Sequence, residues 1–318
     1  MKSHLSHEYD VQDIKAILDR AQSILSNGFE EVADKLKHLQ LAGTVLHNAS
    51  ALEKYVIEIT LARLDAQTID IDFRENPTFT ETESLSHLKM VSSALDLVLA
   101  SYSDSETFGN GHRFLKQFPD SLSSPLLILN DDLYAPQPAL SELLGFRERL
   151  GDLSGKRITI SWGFGTKFVL PNTAHSLLLQ GVKLGANMTV VSPSEFGLLN
   201  RVTKDATSIA DSTNGSIHLT DDFASCQKGS DAIFVLNWCR FDDFRRPERN
   251  AEYAAKFRDW FFTEDELDSD ILFSTQPPVE TELIASQALI DSERNLTQNW
   301  LNRRIAVLAA SLSYLLDQ

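Results

Sequence analysis

Short apolar runs alternate with helix-like segments along most of this chain of 318 residues. Between about residues 41 and 150, each run is followed by a segment whose apolar residues recur at helical spacing. These runs are LAGTVLH, QTIDIDF, LDLVLAS and PLLILND. Such a strand–helix order predicts parallel sheets covered by helices, because parallel strands need crossover connections. The predicted fold class is therefore α/β.

A second series of the same units begins near residue 150. The turn LSGK leads into the strand-like run RITISW, and later runs of this type are NMTVVSP, SIHLTDD, AIFVLNW and ILFSTQP. A chain of this length favours two domains over a single core. We predict an N-terminal domain over 1–149 completed by a C-terminal helix within 295–318, and a second domain over 150–294. Each should hold a parallel sheet flanked by helices.

Charge and composition exclude several classes of function. The net charge of -16 argues against a nucleic-acid partner and against an anionic membrane surface. The sequence has no apolar run long enough to span a bilayer and its start lacks the apolar core of a signal peptide, so a cytoplasmic location is predicted. Two cysteines without zinc-site spacing, and no glycine-rich nucleotide motif, predict neither a metal nor a cofactor.

Four stretches of the sequence carry motif-like patterns. The most specific is 152–197, which contains a Leu-x-Gly-Lys turn, a strand, a helix starting Asn-x-x-His-Ser, and a strand ending in proline. The others are Glu-Ser-Leu at 83–85, Asn-Trp-Cys at 237–239 and Ser-Thr-Gln-Pro at 274–277. Together these patterns resemble the aspartate/ornithine carbamoyltransferase family, and within it the acetylornithine and succinylornithine branch.

The resemblance implies a fold and a reaction. The family has two α/β domains with the active site in the cleft between them, and it forms homotrimers. Its first domain binds carbamoyl phosphate, and the amine of an amino acid bound by the second domain attacks the carbonyl carbon. Some members of the branch have a knotted backbone in which the regions equivalent to 162–171 and 237–260 take part. A knot in this chain is a hypothesis.

The clearest departure from the family is the segment LHNASALEK at 46–54. It occupies the position of the family's Ser-Thr-Arg-Thr phosphate loop, and only Ser50 matches. An arginine fork binds phosphate in a bidentate manner, whereas Leu52 cannot bond to it and the Glu53 carboxylate should repel it. Lys54 and His47 are candidates to replace the lost cations.

Further departures affect the groups that would activate carbamoyl phosphate. The family's His-Pro-x-Gln motif becomes Ala135-Pro136-Gln137-Pro138, although a shift of one residue places Gln137 on the family glutamine. His87 replaces an aspartate and Ser101 an arginine. His87 and Gln137 remain the candidate catalytic residues. Loss of several phosphate and oxyanion donors together predicts that ordinary carbamoyl phosphate chemistry is absent.

The second domain departs less from the family pattern. Asn172 matches an asparagine that contacts the amino-acid substrate, and Trp238 matches a tryptophan, while Leu236 replaces the aspartate that contacts the amine. The predicted substrate-binding residues are Ser50, Lys54, Trp162, Asn172, His175, Ser176, Trp238, Cys239, Arg240, Gln276 and Pro277.

Each candidate also has a structural alternative. Asn172 is either a substrate ligand or a helix N-cap. His175 is either a ligand or a packed helix residue, and Trp162 and Trp238 either line a pocket or close a core. Cys239 is favoured as an inert thiol. Arg240 either binds an anionic group or belongs to a solvated, charged loop.

Three functions follow from these patterns. The first is a divergent enzyme of the family that acts on an amino-acid-like small molecule and does not use carbamoyl phosphate in the standard way. The second is a catalytically inactive member that serves as a metabolite-binding regulator or scaffold. The third is an ordinary N-acylornithine or ornithine carbamoyltransferase.

Overall fold

The computed structural model describes residues 4–72, 80–104, 106–227 and 229–317. The described residues form two compact units. The first unit belongs to Met1–Pro138 and Leu301–Gln318, and the second to Ala139–Trp300. Each unit contains a five-stranded sheet in which all neighbouring strands are parallel, so the predicted α/β class with two parallel sheets is confirmed. Helix α7 (Pro136–Leu150) continues through the border at 138, so this division does not decide the domain limits predicted near 149 and 295.

The sheet of the first unit has the strand order β1-β5-β4-β2-β3. Its strands are β1 (His4–Leu5), β2 (Leu41–His47), β3 (Gln67–Asp70), β4 (Leu97–Tyr102) and β5 (Leu126–Asp131). Its helices are α1 (Val11–Asn27), α2 (Glu30–Lys35), α3 (Ala51–Arg63), α4 (Glu81–Ser92), α5 (Asn110–Leu115), α6 (Phe118–Ser121) and, from the end of the chain, α12 (Trp300–Leu316). Strand β1 was not predicted, because two residues are too few for alternation to be visible.

Local signals explain several of these boundaries. The Asp10 side chain accepts hydrogen bonds from the backbone of Gln12 and Asp13, while Asp13 caps Asp10 in return, which starts α1. Helix α1 ends before Gly28, whose φ of 89° is strained for any other residue. In the sequence, apolar residues recur at helical spacing over 11–40 with a break at Asn27-Gly28, which predicts two helices. The structure confirms both helices and the break between them.

The sheet of the second unit has the order β10-β9-β6-β7-β8. Its strands are β6 (Arg157–Trp162), β7 (Asn187–Val191), β8 (Ser216–Thr220), β9 (Ala232–Leu236) and β10 (Leu272–Thr275). Its remaining helices are α8 (Asn172–Lys183), α9 (Asn200–Ala210), α10 (Pro247–Ala254) and α11 (Gln287–Asp291). From the sequence, helices are also predicted over 195–211 and 221–228. The first prediction is wrong as a continuous helix, because the backbone of Gly197 and Leu199 is extended between a short 3-10 turn and α9. In place of the second helix the structure has a 3-10 turn at Phe223–Gln227.

Burial differs among the strands. All five residues of the inner strand β9 are buried, as expected for a parallel strand covered on both faces, whereas the edge strand β3 is exposed throughout. The edge strand β10 is also fully buried. Within the part of the chain that the structure describes, no helix has the length and apolar character needed to cross a bilayer.

Candidate functional site

The second sheet brings several predicted residues to one edge. Its strand order reverses between β6 and β9, and ligands of open α/β sheets bind at the carboxyl ends of strands flanking such a point. Trp162 ends β6, Trp238 follows β9, and Gln276 follows β10. Pro277 comes next and is joined to Pro278 by a cis peptide bond. These residues come together only in the folded unit, since up to 115 residues separate them in sequence.

Trp162 and Trp238 form a buried wall at this edge. The Trp162 Nε1–H donates to the Trp238 carbonyl at 3.0 Å, and the Trp238 Nε1–H donates to the Phe196 carbonyl at 2.6 Å. Both indoles are fully buried, and the Trp162 ring lies 4.6 Å from that of Phe196. Because the backbone takes both N–H groups, the tryptophans shape the edge and offer a ligand no indole donor.

The start of α8 lies beside Gln276. The Gln276 Nε2 donates to the Thr173 hydroxyl at 2.9 Å, and the Asn172 Oδ1 accepts from the Thr173 backbone N–H at 2.9 Å. Asn172 and Gln276 are half-buried. The helix-cap alternative for Asn172 is wrong, because Pro171 is the cap residue and no side chain caps α8. A helix N-terminus with amide and hydroxyl groups around it is suited to a carboxylate.

Glu280 fixes the loop that follows β6. Its carboxylate accepts from the backbone N–H groups of Thr166 at 2.8 Å and Lys167 at 2.9 Å, and from the Thr166 hydroxyl. Burial acts to raise the pKa of Glu280, but these hydrogen bonds outweigh it and lower the pKa. A Cβ atom at Gly165 would lie 2.6 Å from the Glu280 Oε2. A side chain at position 165 would therefore displace the Glu280 carboxylate from its present position.

Asn237 places an unused acceptor beside this loop. Its Nδ2 donates to the Gly163 carbonyl at 2.8 Å, and its side chain is within contact distance of Gly165. The Asn237 Oδ1 is buried and has no hydrogen-bond partner among the described residues. An unsatisfied buried acceptor is costly, so a donor from a ligand or water would stabilise it. Sequence reasoning missed Asn237, Thr173 and Glu280; the motif Asn-Trp-Cys was the available signal for the first.

His175 and Ser176 are buried within α8. The His175 Nε2 accepts from the Leu199 backbone N–H at 3.3 Å, and its ring is parallel to that of Phe241 at 5.9 Å. This environment agrees with the packed alternative for His175. Its ligand role, and that of Ser176, stay predictions.

Arg240 is held by its own neighbours. Its guanidinium pairs with Asp243 and lies over the Tyr253 ring at 3.6 Å, while its Nε donates to the Glu195 carbonyl at 3.3 Å. The side chain is 15% exposed. The solvated-loop alternative therefore does not describe Arg240, although Arg246 and Arg249 around the same carboxylate are about half exposed.

In the first unit, Ser50 and Glu53 of the segment after β2 bond to other groups of the protein. The Ser50 hydroxyl caps α3 by accepting from the Glu53 backbone N–H at 3.1 Å, and Lys54 is exposed. Glu53 is buried and pairs with Arg304 of α12 at 2.6 Å. The carboxylate expected to repel a phosphate is thus neutralised, and the available arginine is used inside the unit.

The two candidate catalytic residues lie in different surroundings. His87 is half-buried on α4. Gln137 is buried in the first turn of α7, where its Nε2 donates to the Tyr9 hydroxyl at 2.9 Å and to the Ser311 hydroxyl at 3.0 Å. Burial raises the pKa of Tyr9, which keeps this network uncharged. The catalytic roles of His87 and Gln137 stay predictions.

Acidic groups gather at the carboxyl ends of β4 and β5. Asp132 accepts from the backbone N–H groups of Gly111 at 3.0 Å and Asp104 at 3.2 Å. Burial raises the pKa of Asp132 despite these bonds, and the neighbouring Asp131 adds to the rise. Ser101, at the position of the family arginine, donates to the Asn130 Oδ1 at 2.7 Å. This edge favours donors and cations over a phosphate.

Comparison with known proteins shows similarity to one enzyme family. The family model described as aspartate/ornithine carbamoyltransferase, Asp/Orn binding domain, matches residues 169–315. The ornithine carbamoyltransferase of Rhodococcus opacus (strain B4) is 28% identical over 196 residues, which cover 62% of this chain and 58% of that enzyme. The ornithine carbamoyltransferase of Parasynechococcus marenigrum (strain WH8102) is 26% identical over 314 residues, which cover 96% of this chain and 92% of that enzyme. The chain is thus similar to the aspartate/ornithine carbamoyltransferases, and the family model matches the part of the chain from residue 169 to 315.

Solved structures show that the carbamoyltransferase fold is shared. Acetylornithine transcarbamylase complexed with acetylcitrulline superposes with a TM-score of 0.87 at 18% identity, covering 100% of both chains. N-acetyl-L-ornithine transcarbamylase gives a TM-score of 0.87 at 19% identity, covering 99% of this chain and 100% of that one. The match to the Rhodococcus relative spans 58% of its length, so identity of activity does not follow from it.

Neither cysteine of this protein is expected to react in the native state. Burial raises the pKa of both the Cys239 and the Cys226 thiols to about 12, so about one thiol in 10⁴ is ionised at pH 8. A thiol-specific chromogenic disulfide at pH 8 should label the native protein very slowly, and should label both cysteines once guanidinium unfolds it. Rapid native labelling of Cys239 would contradict the inert-thiol alternative.

Proposed function

We propose that this chain is a divergent transferase of the carbamoyltransferase family. It binds an amino-acid-like small molecule through its second unit and does not use carbamoyl phosphate in the standard way. The observation that carries this proposal is the loop after β2, where Ser50 caps its own helix and Glu53 is buried against Arg304. A standard phosphate site needs free, convergent donors at this place.

The proposal that the second unit binds an amino-acid-like molecule is supported by the residues at the carboxyl ends of the second sheet's strands. The positive end of the α8 dipole favours an α-carboxylate, and the polar residues Asn172, Thr173 and Gln276, which hydrogen bonds link to one another, lie at this end. The Asn237 Oδ1 is an acceptor without a partner among the described residues, which suits an ammonium or amide N–H. The names of relatives that act on ornithine and acetylornithine agree with this class of ligand.

A second candidate function has its own support. The Gln137 amide is satisfied by Tyr9 and Ser311, and the Ser50 hydroxyl by its own helix. These polar groups form hydrogen bonds within the protein and are not available to activate a substrate. This is expected of an inactive member that binds a metabolite as a regulator. Binding without turnover of any tested donor would favour this candidate. A homotrimeric assembly and a cytoplasmic location stay predictions from the resemblance and the composition.

The test is a thermal-shift and calorimetric titration of the full chain. The panel is carbamoyl phosphate, inorganic phosphate, L-ornithine, N-acetyl- and N-succinyl-L-ornithine, and the common amino acids. A ligand that binds only the native state raises the melting temperature by mass action, by an amount that corresponds to about 2.7 kcal/mol at 100 times Kd. We expect at least one amino acid or N-acylated ornithine to bind alone, and neither phosphate compound to bind.

The variant Gln276→Ala tests where the amino acid binds. Loss of a half-buried amide donor should weaken binding by about tenfold, or about 1.4 kcal/mol. The control is Gln12→Ala, which removes the same group from the exposed surface of α1 and should leave binding unchanged. Tight binding of carbamoyl phosphate, or equal effects of the two variants, would contradict the proposal.

A further inference from the structure

A separate cavity lies in the first unit, beside the edge strand β1 and its neighbour β5. Its volume is about 250 Å³, which is enough for a small organic molecule. His7, which follows β1, and Asp131, which ends β5, both line it, as does His112 of α5. None of the groups proposed above to bind an amino acid lines this cavity.

A buried histidine–aspartate pair forms one side of the cavity. The His112 Nδ1 lies 2.7 Å from the Asp131 Oδ2, and the two side chains are 8% and 3% exposed. The other carboxylate oxygen of Asp131 accepts from the backbone N–H groups of Leu133 and Tyr134. Since a carboxylate only accepts, the uncharged form of this imidazole has its proton on Nδ1 and its acceptor at Nε2.

That acceptor is available to a ligand. The His112 Nε2 has no hydrogen-bond partner among the described residues, although the residue is 6% exposed and lines the cavity. Since His112 lines the cavity, a donor placed in the cavity can bond to this nitrogen.

His7 provides an uncharged aromatic surface next to this group. Its ring is stacked on Tyr134 at 4.4 Å and meets the His112 ring edge-on at 4.8 Å. Burial, followed by the influence of His112, lowers the pKa of His7 to about 4, so this ring is neutral at pH 7. A neutral aromatic ring attracts a cation through its face or adds apolar contact.

The charges around the cavity favour a cation. Glu8, Asp120 and Asp131 supply three carboxylates, whereas Lys116 is the single lysine or arginine among the described lining residues. Leu115 and Ile128 add apolar surface for a methylene chain. An ammonium group has three donors and no acceptor, which matches Nε2 and the exposed carboxylates of Glu8 and Asp120.

We infer that this cavity binds a primary alkyl ammonium with a short methylene chain, with the ammonium donating to the His112 Nε2 and the chain lying against the apolar wall. The site belongs wholly to the first unit. Its ligand is therefore predicted to bind whether or not the second unit is occupied by an amino acid.

Calorimetric titration with three four-carbon compounds tests the charge requirement. Putrescine carries two ammonium groups, butane-1,4-diol none, and succinate two carboxylates. We expect saturable binding of putrescine alone, weakened several-fold when NaCl is raised from about 20 to 300 mM. Binding of succinate or of the diol with equal affinity, or no binding of putrescine, would overturn the inference.

Three variants of lining residues and one control variant test where putrescine binds and separate effects on binding from effects on folding. Asp120→Asn and Lys116→Gln alter exposed lining residues, so putrescine should bind about two- to five-fold more weakly to the first and more tightly to the second. Asp205→Asn, an exposed aspartate on α9, is the matched control and should have no effect. His112→Asn keeps a donor for Asp131 but removes Nε2, and should abolish measurable binding.

The side-chain NMR signals of the histidines give an independent readout. Putrescine should shift the ring signals of His112 and His7 and leave that of His218 on β8 unchanged. Effects of equal size for Asp120→Asn and Asp205→Asn, or shifts confined to His218, would show that putrescine binds elsewhere and would overturn the inference. Binding of putrescine with no response to an amino acid would support this site while contradicting the proposed function.

Discussion

Purified protein supplied with carbamoyl phosphate and either L-ornithine or N-acetyl-L-ornithine is expected to transfer the carbamoyl group at least about 10⁴-fold more slowly than an ordinary family enzyme. Loss of one donor that stabilises developing charge costs about 10²- to 10³-fold in rate. Leu52 and Ala135 stand where the resemblance expects an arginine and a histidine, so two such donors are absent. The remaining arginine near the loop, Arg304, is paired with Glu53.

The measurement is the release of inorganic phosphate and formation of a ureido product over hours. The ornithine carbamoyltransferase of Parasynechococcus marenigrum, which aligns over 92% of its length, is the parallel control. A heat-treated sample corrects for spontaneous decay of carbamoyl phosphate. Turnover within about tenfold of the control enzyme would identify an ordinary carbamoyltransferase and would refute the proposed loss of the phosphate site.

Glu53→Gln is expected to lower the free energy of unfolding by about 3 kcal/mol. Arg304 is 2% exposed and its bond to the Glu53 carboxylate is 2.6 Å long, so the substitution leaves a buried guanidinium without its counter-ion. For a unit of this size the midpoint of thermal unfolding should fall by roughly 6 to 12 °C. Urea unfolding followed by circular dichroism checks the free energy directly.

The control for this prediction lies on the same helix. Glu58→Gln removes an exposed carboxylate from α3 and should change stability by less than about 0.5 kcal/mol. The pair Glu53→Leu with Arg304→Met should be less destabilising than either single change, because it leaves no uncompensated charge. Equal losses for Glu53→Gln and Glu58→Gln would show that the ion pair does not stabilise the unit.

Elements with strong local signals were predicted closely. The run LAGTVLH is strand β2 in full, and the helix expected over 136–150 is α7 with the same limits. The predictions were wrong where the local sequence signal for an element or its end was weak. Strand β1 is two residues long and exists through its pairing with β5, and the extended backbone at Gly197 interrupts what the helical spacing suggested.

The candidate site was predicted in part. The sequence placed Asn172, Trp238 and Gln276 on separate segments, and the second sheet brings those segments to one edge. It did not predict that both tryptophan N–H groups are taken by backbone carbonyls. Nor did it predict Thr173 and Glu280, because a threonine after an asparagine and a lone glutamate carry no motif. Their roles depend on hydrogen bonds between residues more than 100 positions apart.

The sequence by itself determined the parallel α/β fold class, and it showed which residues of LHNASALEK differ from the phosphate loop that the resemblance implies, because periodicity and residue type are local properties. Only the tertiary structure decided what the substituted residues do. Glu53 was expected to repel an anion, yet it is neutralised by an arginine 251 positions later in the chain. Charge and hydrogen bonding act through space, so the state of a buried group depends on partners that sequence order does not reveal.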